Sequence, residues 1–277
     1  MPINMKQNLL DLNLKRGEQM NEQLAIHQVV SQWFRQVRPQ ILAGRKQGLE
    51  IENKTSRLDL VTNIDKETEQ FYRQQIRQHF PNSKILGEEG SKEDITSAEE
   101  LFWVIDPIDG TMNFVKQGRS FVSMLAIYHK QQPVLGYIYD VVADQLYWGG
   151  PGLGVYCDEE KLSEPENISL KEGLLGVNGP MIMSNYRNLQ TVVKQSAGAR
   201  IYGSAGIEFI HVLRGQCVGY LSHLRPWDYA AGSILAESLN LVVKTIDGNI
   251  LDVVSSEDVL VATKRAFSEI TALMAAK

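Results

Sequence analysis

Residues 101–114, Leu-Phe-Trp-Val-Ile-Asp-Pro-Ile-Asp-Gly-Thr-Met-Asn-Phe, join an apolar run to two aspartates and a glycine. The run Phe102–Ile105 is apolar without alternation, which indicates a strand covered on both faces of its sheet. Pro107 restricts its own φ angle and biases Asp106 away from helix. The stretch therefore predicts a buried strand that carries Asp106 to its end.

The residues that follow favour a magnesium site. Gly110 permits a tight turn, and such a turn would aim the carboxylates of Asp106 and Asp109 and the carbonyl of Ile108 at one point. Hard oxygen donors that converge in this way suit Mg²⁺, which prefers a few carboxylates together with water and substrate phosphate. The sequence offers no cluster of His and Cys residues that would predict a zinc site instead.

Two other segments place acids at the end of a strand pattern or the start of a helix pattern. They are Ile85-Leu-Gly-Glu88-Glu-Gly90 and Pro226-Trp-Asp228-Tyr-Ala-Ala-Gly232. Two carboxylates about 4 Å apart repel by roughly 4 kcal/mol at an effective dielectric constant near 20. If Glu88 and Asp228 join the two aspartates, the cluster must bind cations or take up protons; spacing alone leaves open whether the acids are neighbours.

Each segment alone has a simpler interpretation. Gly-Glu-Glu-Gly is typical of an exposed acidic turn, Asp-Pro-x-Asp-Gly of a β-turn, and Trp-Asp before a helical run of an N-cap. The three segments together, in this order, favour a shared metal site over three unrelated structural features.

Helix and strand patterns alternate along the chain, which predicts an α/β protein of layered helices and sheets. Apolar spacing predicts helices at Met20–Ala43, with a kink at Pro39, and at Asp65–His79. The glycine-rich segment 149–154 is interpreted as a turn between strands, because it lacks the GxGxxG spacing of a phosphate loop. The other predicted elements are strands at Lys84–Leu86, Leu101–Ile105, Val122–Tyr128, Val134–Asp140, Gln145–Trp148, Val218–Leu221, Leu241–Thr245 and Val259–Ala262, and helices at Ser204–Leu213 and Asp228–Leu239.

Size and charge limit the classes of function. The chain has 277 residues and a formal net charge of −5 at pH 7, which argues against a nucleic-acid or anionic-membrane surface. We expect two parts, residues 1–150 with Glu88 and the 106–111 motif, and residues 151–277 with Asp228 and the substrate side.

Cysteine usage and hydropathy predict a cytoplasmic protein. Cys157 and Cys217 lie far apart and match no CxxC pattern, so free buried thiols are favoured over a single disulfide. Met1–Leu14 lacks the long apolar core of a signal peptide. No run of about 18 apolar residues could cross a bilayer.

Taken together, the motifs resemble those of the inositol monophosphatase family, the lithium-sensitive sugar phosphatases. The family signature combines Gly-Glu-Glu, Asp-Pro-Ile-Asp-Gly-Thr-x-Asn-Phe and Trp-Asp, and all three stand here as quoted above. The upstream segment Asp59-Leu-Val-Thr-Asn-Ile-Asp65 is similar to a further family motif. The resemblance extends from about Lys54 to Gly232.

The resemblance implies an αβαβα sandwich, usually a homodimer, that hydrolyses the phosphate monoester of a small metabolite with two or three Mg²⁺ ions. It makes Glu88, Thr111 and Asp65 catalytic: Glu88 and Thr111 activate and orient the attacking water, and Asp65 supports a further metal or its waters. Lys54 would lie near the same waters. The implied metal ligands are Glu88, Asp106, the Ile108 carbonyl, Asp109 and Asp228; the implied substrate-binding residues are Gly110, Thr111, Gly203, Ser204, Ala205 and Asp228.

One position departs from the family pattern. Many inositol-hydrolysing members have a glutamate seven residues before the Trp-Asp aspartate, where Leu221 stands here, and a one-residue gap would place Ser222 there instead. Neither residue is acidic, and His223 and Arg225 nearby could meet a second phosphate group. Three functions therefore stay open: an inositol monophosphatase, a phosphatase of bisphosphates, nucleotides or NADP resembling fructose-1,6-bisphosphatase, and a non-catalytic protein-binding module.

Overall fold

Two large sheets and eight α-helices make up the part of the chain that the computed structural model describes, residues 16–53, 60–90 and 101–275. Two short 3-10 helices lie at Leu170–Glu172 and Tyr186–Asn188. The α-helices are α1 Arg16–Gln47, α2 Asn63–His79, α3 Thr111–Lys116, α4 Gly179–Met183, α5 Leu189–Gln195, α6 Ala205–Leu213, α7 Pro226–Ser238 and α8 Lys264–Ala275.

The strands are β1 Ile51–Asn53, β2 Leu60–Thr62, β3 Lys84–Gly87, β4 Leu101–Asp109, β5 Val122–His129, β6 Gln132–Asp140, β7 Gln145–Gly150, β8 Gly154–Cys157, β9 Glu160–Lys161, β10 Leu174–Val177, β11 Gly198–Arg200, β12 Gly219–Leu224, β13 Val242–Thr245 and β14 Glu257–Ala262. β1 and β2 form a separate antiparallel pair. The seven-stranded sheet has the order β3-β4-β5-β6-β7-β8-β9, and the five-stranded sheet has the order β11-β10-β12-β14-β13.

Five layers of helices and sheets pack around three apolar cores, and the middle core contacts both sheets. α1 and α2 pack on one face of the seven-stranded sheet around Trp33. α6 and α7 lie between the two sheets, where Phe209 is buried, and α5 and α8 cover the outer face of the five-stranded sheet around Ile270. This helix–sheet–helix–sheet–helix order confirms the layered α/β prediction. The seven-stranded sheet extends beyond residue 150 to Lys161, and the division at 150 stays a prediction.

The central strand β4 confirms one prediction and corrects another. Phe102 belongs to the core on one side of the sheet and Trp103 to the core on the other, as the unbroken apolar run indicates. The strand does not end at Asp106 but continues to Asp109, and its pairing with β5 is irregular between these two residues. Pro107 lies within this irregularity, where a missing backbone N–H disturbs the ladder least.

Several other predicted elements are confirmed with shifted ends. α1 continues through Pro39 to Gln47, and α7 begins at Pro226, two positions before Asp228. Residues 151–153 form the turn between β7 and β8. Both cysteines are free and buried, and none of the described helices is long and apolar enough to cross a bilayer. The segment Met1–Leu14, Lys54 and Asp59 lie outside the described residues.

Candidate active site

Asp106 lies where the pairing of β4 with β5 becomes irregular, and its carboxylate is buried. The residue is only 1% exposed, and its Oδ1 atom has no hydrogen-bond partner within residues 16–53, 60–90 and 101–275. A buried, unpartnered carboxylate oxygen is costly unless it is protonated or meets a cation. Asp106 is therefore the strongest sign of a ligand in this part of the molecule.

Asp109, at the end of β4, is held by the start of α6. Its carboxylate accepts hydrogen bonds from the Ser204 hydroxyl and from the backbone N–H groups of Ala205 (3.1 Å) and Gly206 (2.7 Å). Burial raises the pKa of Asp109, while these three donors act in the opposite direction. The three donors and the dipole of α6 favour the ionised form of Asp109, against the effect of burial.

Ser204 and Ala205 thus donate hydrogen bonds directly to Asp109. Gly203, just before them, is exposed and has a φ of 74°, a left-handed conformation that favours glycine. Asn113 fixes this segment by donating from Nδ2 to the Tyr202 carbonyl at 2.7 Å. The predicted contact of residues 203–205 with substrate stays a prediction.

Asp228 reaches the same point from α7. It stands at the third position of the helix, and its Oδ2 accepts the backbone N–H of Arg225 at 2.7 Å in a capping box. One oxygen each of Asp106, Asp109 and Asp228 lie within 4.8 Å of one another. The two motifs that are more than a hundred residues apart in sequence are neighbours in the fold.

Glu88 completes the acidic cluster from the end of β3. Burial raises the pKa of Asp106 well above its ordinary value, and the charges of Glu88 and Asp109 raise it further. Burial likewise raises the pKa of Asp228, followed by the charges of Asp109 and Glu88. The three aspartates are therefore neighbours, and Glu88 lies near enough for its charge to act on Asp106 and Asp228.

Thr111 and Asp65 meet beside this cluster. The Thr111 hydroxyl lies 3.1 Å from both Asp65 Oδ1 and the Ile108 carbonyl. Asp65 is fully buried in the first turn of α2 and forms a capping box with Thr62. Gly110 brings Thr111 into place with a φ of 87°, and a Cβ at Gly110 would lie 2.8 Å from the Ser204 Cβ.

On β12 the residue that faces the cluster is Ser222 rather than Leu221. Leu221 is completely buried in the core beneath α5 and α8, whereas the Ser222 hydroxyl bonds to the Tyr220 phenol on the opposite face. Ser222 also accepts a hydrogen bond from Asn178 Nδ2 at 3.1 Å and is 2% exposed. No carboxylate of β12 therefore faces the cluster.

His223 and Arg225 flank the same strand. The His223 ring is exposed and its Nδ1 lies 2.8 Å from Asp258 Oδ1, and the Arg225 guanidinium lies over the Trp227 ring at 5.8 Å. Their suggested contact with a second phosphate stays a prediction. The His211 ring stacks on the Tyr202 ring, with the ring centroids 4.2 Å apart.

Two buried glutamates near the site were not predicted. Glu208 in α6 is 2% exposed, and burial raises its pKa to about 8, with the charge of Asp109 adding to the shift. Glu69 in α2 is also 2% exposed. Neither residue belongs to one of the sequence motifs, and each reaches the site only through the fold. The sequence signal for such a buried acid is a charged residue at an apolar position of a helical pattern, such as Glu208 in Gly206-Ile-Glu-Phe-Ile210.

The donor set fits a hard divalent cation. Every candidate ligand is a carboxylate or carbonyl oxygen, and in the part of the chain that the structure describes a buried oxygen of Asp106 has no hydrogen-bond partner. Such oxygens suit Mg²⁺ and not the softer metals that prefer thiolate or imidazole. A cation there would also remove the mutual repulsion of the four acids.

Comparison with known proteins agrees with this geometry. The sequence profile of the inositol monophosphatase family matches residues 20–276. The inositol-1-monophosphatase of Bacillus subtilis (strain 168) is 40% identical over 240 residues, which cover 85% of this chain and 91% of that protein. A solved structure of an IMPase/NADP phosphatase complexed with Mg²⁺ and phosphate matches with a TM-score of 0.86 and 29% identity, over 92% of this chain and 97% of that chain.

A second solved structure, staphylococcal inositol monophosphatase-1 soaked in LiCl as an inhibitory complex, is equally similar. It matches with a TM-score of 0.86 and 29% identity, over 92% of this chain and 96% of that chain.

Proposed function

This chain belongs to the inositol monophosphatase family of phosphate monoester hydrolases, and we propose that it cleaves an inositol monophosphate with Mg²⁺. The observation that carries the proposal is the buried Asp106 oxygen, which has no partner among the described residues and lies in the cluster with Asp109 and Asp228. When bound there, Mg²⁺ supplies the positive charge that neutralises phosphate oxygens and lowers the pKa of water. Glu88, Asp106, the Ile108 carbonyl, Asp109 and Asp228 would hold two or three such ions.

The chain's own residues position the water and the phosphate. The Thr111 hydroxyl donates a hydrogen bond to Asp65 or the Ile108 carbonyl, so its lone pairs are left to accept a hydrogen bond from the attacking water and orient it. Glu88 takes up a proton of that water as phosphate is displaced, and the leaving oxygen of the substrate is protonated from solvent. The N–H groups of Gly110 and Thr111 bind the phosphate oxygens.

A second candidate, hydrolysis of NADP or another nucleotide or bisphosphate, is supported by β12. Inositol has hydroxyl groups that a carboxylate acceptor would bind, whereas Ser222 is buried and already bonded to Asn178. The similar solved structure is that of a dual IMPase/NADP phosphatase. Because the hydrolytic half of the site is common to both candidates, they differ only in the leaving group.

A substrate panel tests both candidates. We expect Mg²⁺-dependent phosphate release from inositol 1-phosphate, and the panel adds fructose 1,6-bisphosphate, adenosine bisphosphate and NADP, each with the wild type and Asp106→Asn. A higher kcat/KM for NADP would favour the second candidate. Release that is absent on every substrate, or unchanged in Asp106→Asn, would refute the proposed chemistry and favour a non-catalytic binding module.

Three finer properties are proposed with this function. Li⁺ should inhibit by competing at one cation position, which the staphylococcal LiCl complex supports. A homodimer is proposed from the family resemblance. A cytoplasmic location is supported by two buried cysteines that remain free thiols.

A further inference from the structure

Glu69, a buried acid of α2, binds the backbone of the turn that carries Glu88. Its carboxylate accepts the N–H of Glu89 at 2.7 Å and the N–H of Gly90 at 2.9 Å. The Arg73 Nε donates to the same carboxylate at 2.7 Å from one helical turn further on. The Glu69 carboxylate thus accepts hydrogen bonds from two backbone N–H groups of the turn and from one guanidinium.

The glycines on either side of Glu88 match this contact. A Cβ at Gly87 would lie 2.2 Å from Glu69 Oε1, and a Cβ at Gly90 would lie 2.6 Å from the same atom. Neither glycine has a positive φ angle, so backbone conformation does not require them. The carboxylate of Glu69 accounts for the Gly-Glu-Glu-Gly pattern through close packing.

The turn after β3 needs the hydrogen bonds to Glu69 because Glu88 lies near other acidic side chains. The charge of Glu88 raises the pKa of both Asp106 and Asp228, so repulsion favours moving Glu88 outwards when no cation is present. β3 is an edge strand of the seven-stranded sheet and ends at Gly87, which leaves the turn after it without further strand pairing. The backbone N–H of Glu88 itself donates to the Ile105 carbonyl at 3.2 Å.

We propose that Glu69, supported by Arg73, is a positioning residue that holds Glu88 in its metal-binding place before the cation arrives. Asp65, one turn earlier on α2, accepts a hydrogen bond from the Thr111 hydroxyl. The same helix therefore contacts both the turn that carries Glu88 and Thr111. The inference rests on the proposed Mg²⁺-dependent function, because it assigns Glu88 to the cation. Groups that orient ligands in this manner commonly change metal affinity by about 10–100-fold when they are lost.

Calorimetric titration of the full-length protein with Mg²⁺ tests the proposal. Glu69→Ala should bind Mg²⁺ about 10–100-fold more weakly than the wild type, and the Mg²⁺ concentration for half-maximal phosphate release should rise by the same factor. At saturating Mg²⁺, kcat should stay within about 3-fold of the wild type, because the bound cation then holds Glu88 in place. Glu69→Gln keeps one acceptor oxygen and should fall between the two.

Glu67→Gln is the matched control, since Glu67 lies on the exposed side of the same helix and bonds to Gln40 and Asn63. It should leave Mg²⁺ affinity unchanged. Wild-type affinity in both Glu69→Ala and Glu69→Gln, with or without a lower Tm, would overturn the proposal, as would a loss of kcat at unchanged affinity. If Glu69→Ala fails to fold, Glu69→Gln decides the outcome.

The two proposals fail in different ways. A wild type that binds Mg²⁺ but releases no phosphate from any substrate would refute the proposed function, and the difference in Mg²⁺ affinity between the wild type and the Glu69 variants would still decide the role of Glu69.

Discussion

Asp106 combines a high electrostatic cost with a predicted role as a metal ligand. Its raised pKa means that burial and the neighbouring acids penalise the charged form, and asparagine lacks that charge. We therefore expect Asp106→Asn to lower kcat/KM by at least about 100-fold, more than the usual loss for a group that only supports a ligand. In EDTA the same variant should unfold at a higher temperature than the wild type.

Phosphate release and thermal unfolding check both halves of this prediction. Asp247→Asn is the control, because Asp247 forms an exposed ion pair with Arg187 and such pairs contribute little. A variant of Asp106 that is less stable than the wild type in EDTA would contradict the electrostatic argument.

Thr111 allows the role of its hydroxyl to be separated from its size. Thr111→Val removes the group that bonds to Asp65 and the Ile108 carbonyl, and should lower kcat by about 100-fold, as loss of a group that orients a proton transfer does. Thr111→Ser should retain most of the activity. Equal Mg²⁺ affinity in all three proteins is expected, and a large loss of affinity in Thr111→Val would show a ligand-positioning role instead.

Glu208 predicts a pH dependence of stability with a definite sign. Its pKa rises from 4.5 to about 8 on folding, so the unfolded chain releases this proton at lower pH than the folded protein. The contribution of Glu208 is fully present below about pH 4.5 and is lost as the pH rises to about 8, at up to about 1.4 kcal/mol per pH unit.

Glu208→Gln keeps an acceptor for the Tyr202 N–H and cannot ionise. Urea unfolding at pH 5, 6.5 and 8 should show that this variant gains stability relative to the wild type as the pH increases. A difference in free energy of unfolding that stays constant across this range would contradict the assignment of the buried proton to Glu208.

The sequence predicts those site residues that stand inside contiguous motifs. It does not predict residues that reach the site from a distant part of the chain. Asp106 and Asp109 follow an apolar run, and proline and glycine show that the backbone turns there. Glu69 and Ser222 carry no such local sign. Ser222 faces the cluster because of the register of β12, and a shift by one residue would have presented Leu221.

At the scale of elements, the close packing of α7 on α6 controls Asp109. A Cβ at Gly232 would lie 2.4 Å from the Phe209 ring, so Gly232→Ala must push α6 away, at a cost of about 1–3 kcal/mol. The start of α6 donates to Asp109, and Mg²⁺ affinity should therefore decrease as well. Gly17→Ala in α1, where a Cβ meets nothing within 4 Å, is the control.

Calorimetry and chemical denaturation measure these two effects together. If Gly232→Ala lowers stability but binds Mg²⁺ like the wild type, then α6 holds Asp109 independently of its packing on α7.

The elements that sequence periodicity found are those with long apolar faces. β5 is buried throughout and β4 is buried at every residue after Leu101, and such runs are distinctive. β10 has four residues with a glycine among them, and α4 has five residues after Asn178; neither is long enough to establish a period. α8 was missed although its spacing is helical, and its amphipathic pattern could have been recognised from the sequence.

For the whole molecule, the acidic cluster is the place where separate layers meet. Glu88 and Asp106 come from the seven-stranded sheet, Asp228 comes from α7 between the sheets, and α6 holds Asp109. Their repulsion acts only in the folded state, where burial and neighbouring charges raise the pKa values of Asp106 and Asp228. A cation bound to the cluster removes that repulsion and links the layers, so it must favour the folded state.

Mg²⁺ should therefore stabilise the entire fold and not only the site. At a free concentration 100 times its dissociation constant, a ligand of the folded state alone contributes about 2.7 kcal/mol, which corresponds to a rise in Tm on the order of 5 °C for a chain of this length. Thermal unfolding in Mg²⁺ and in EDTA measures the difference. Asp106→Asn should reduce it sharply, since this variant starts without part of the repulsion and lacks a ligand. Equal Tm values for the wild type in Mg²⁺ and EDTA would mean that the acids tolerate their closeness by taking up protons, and the stability of the wild type would then fall as the pH rises.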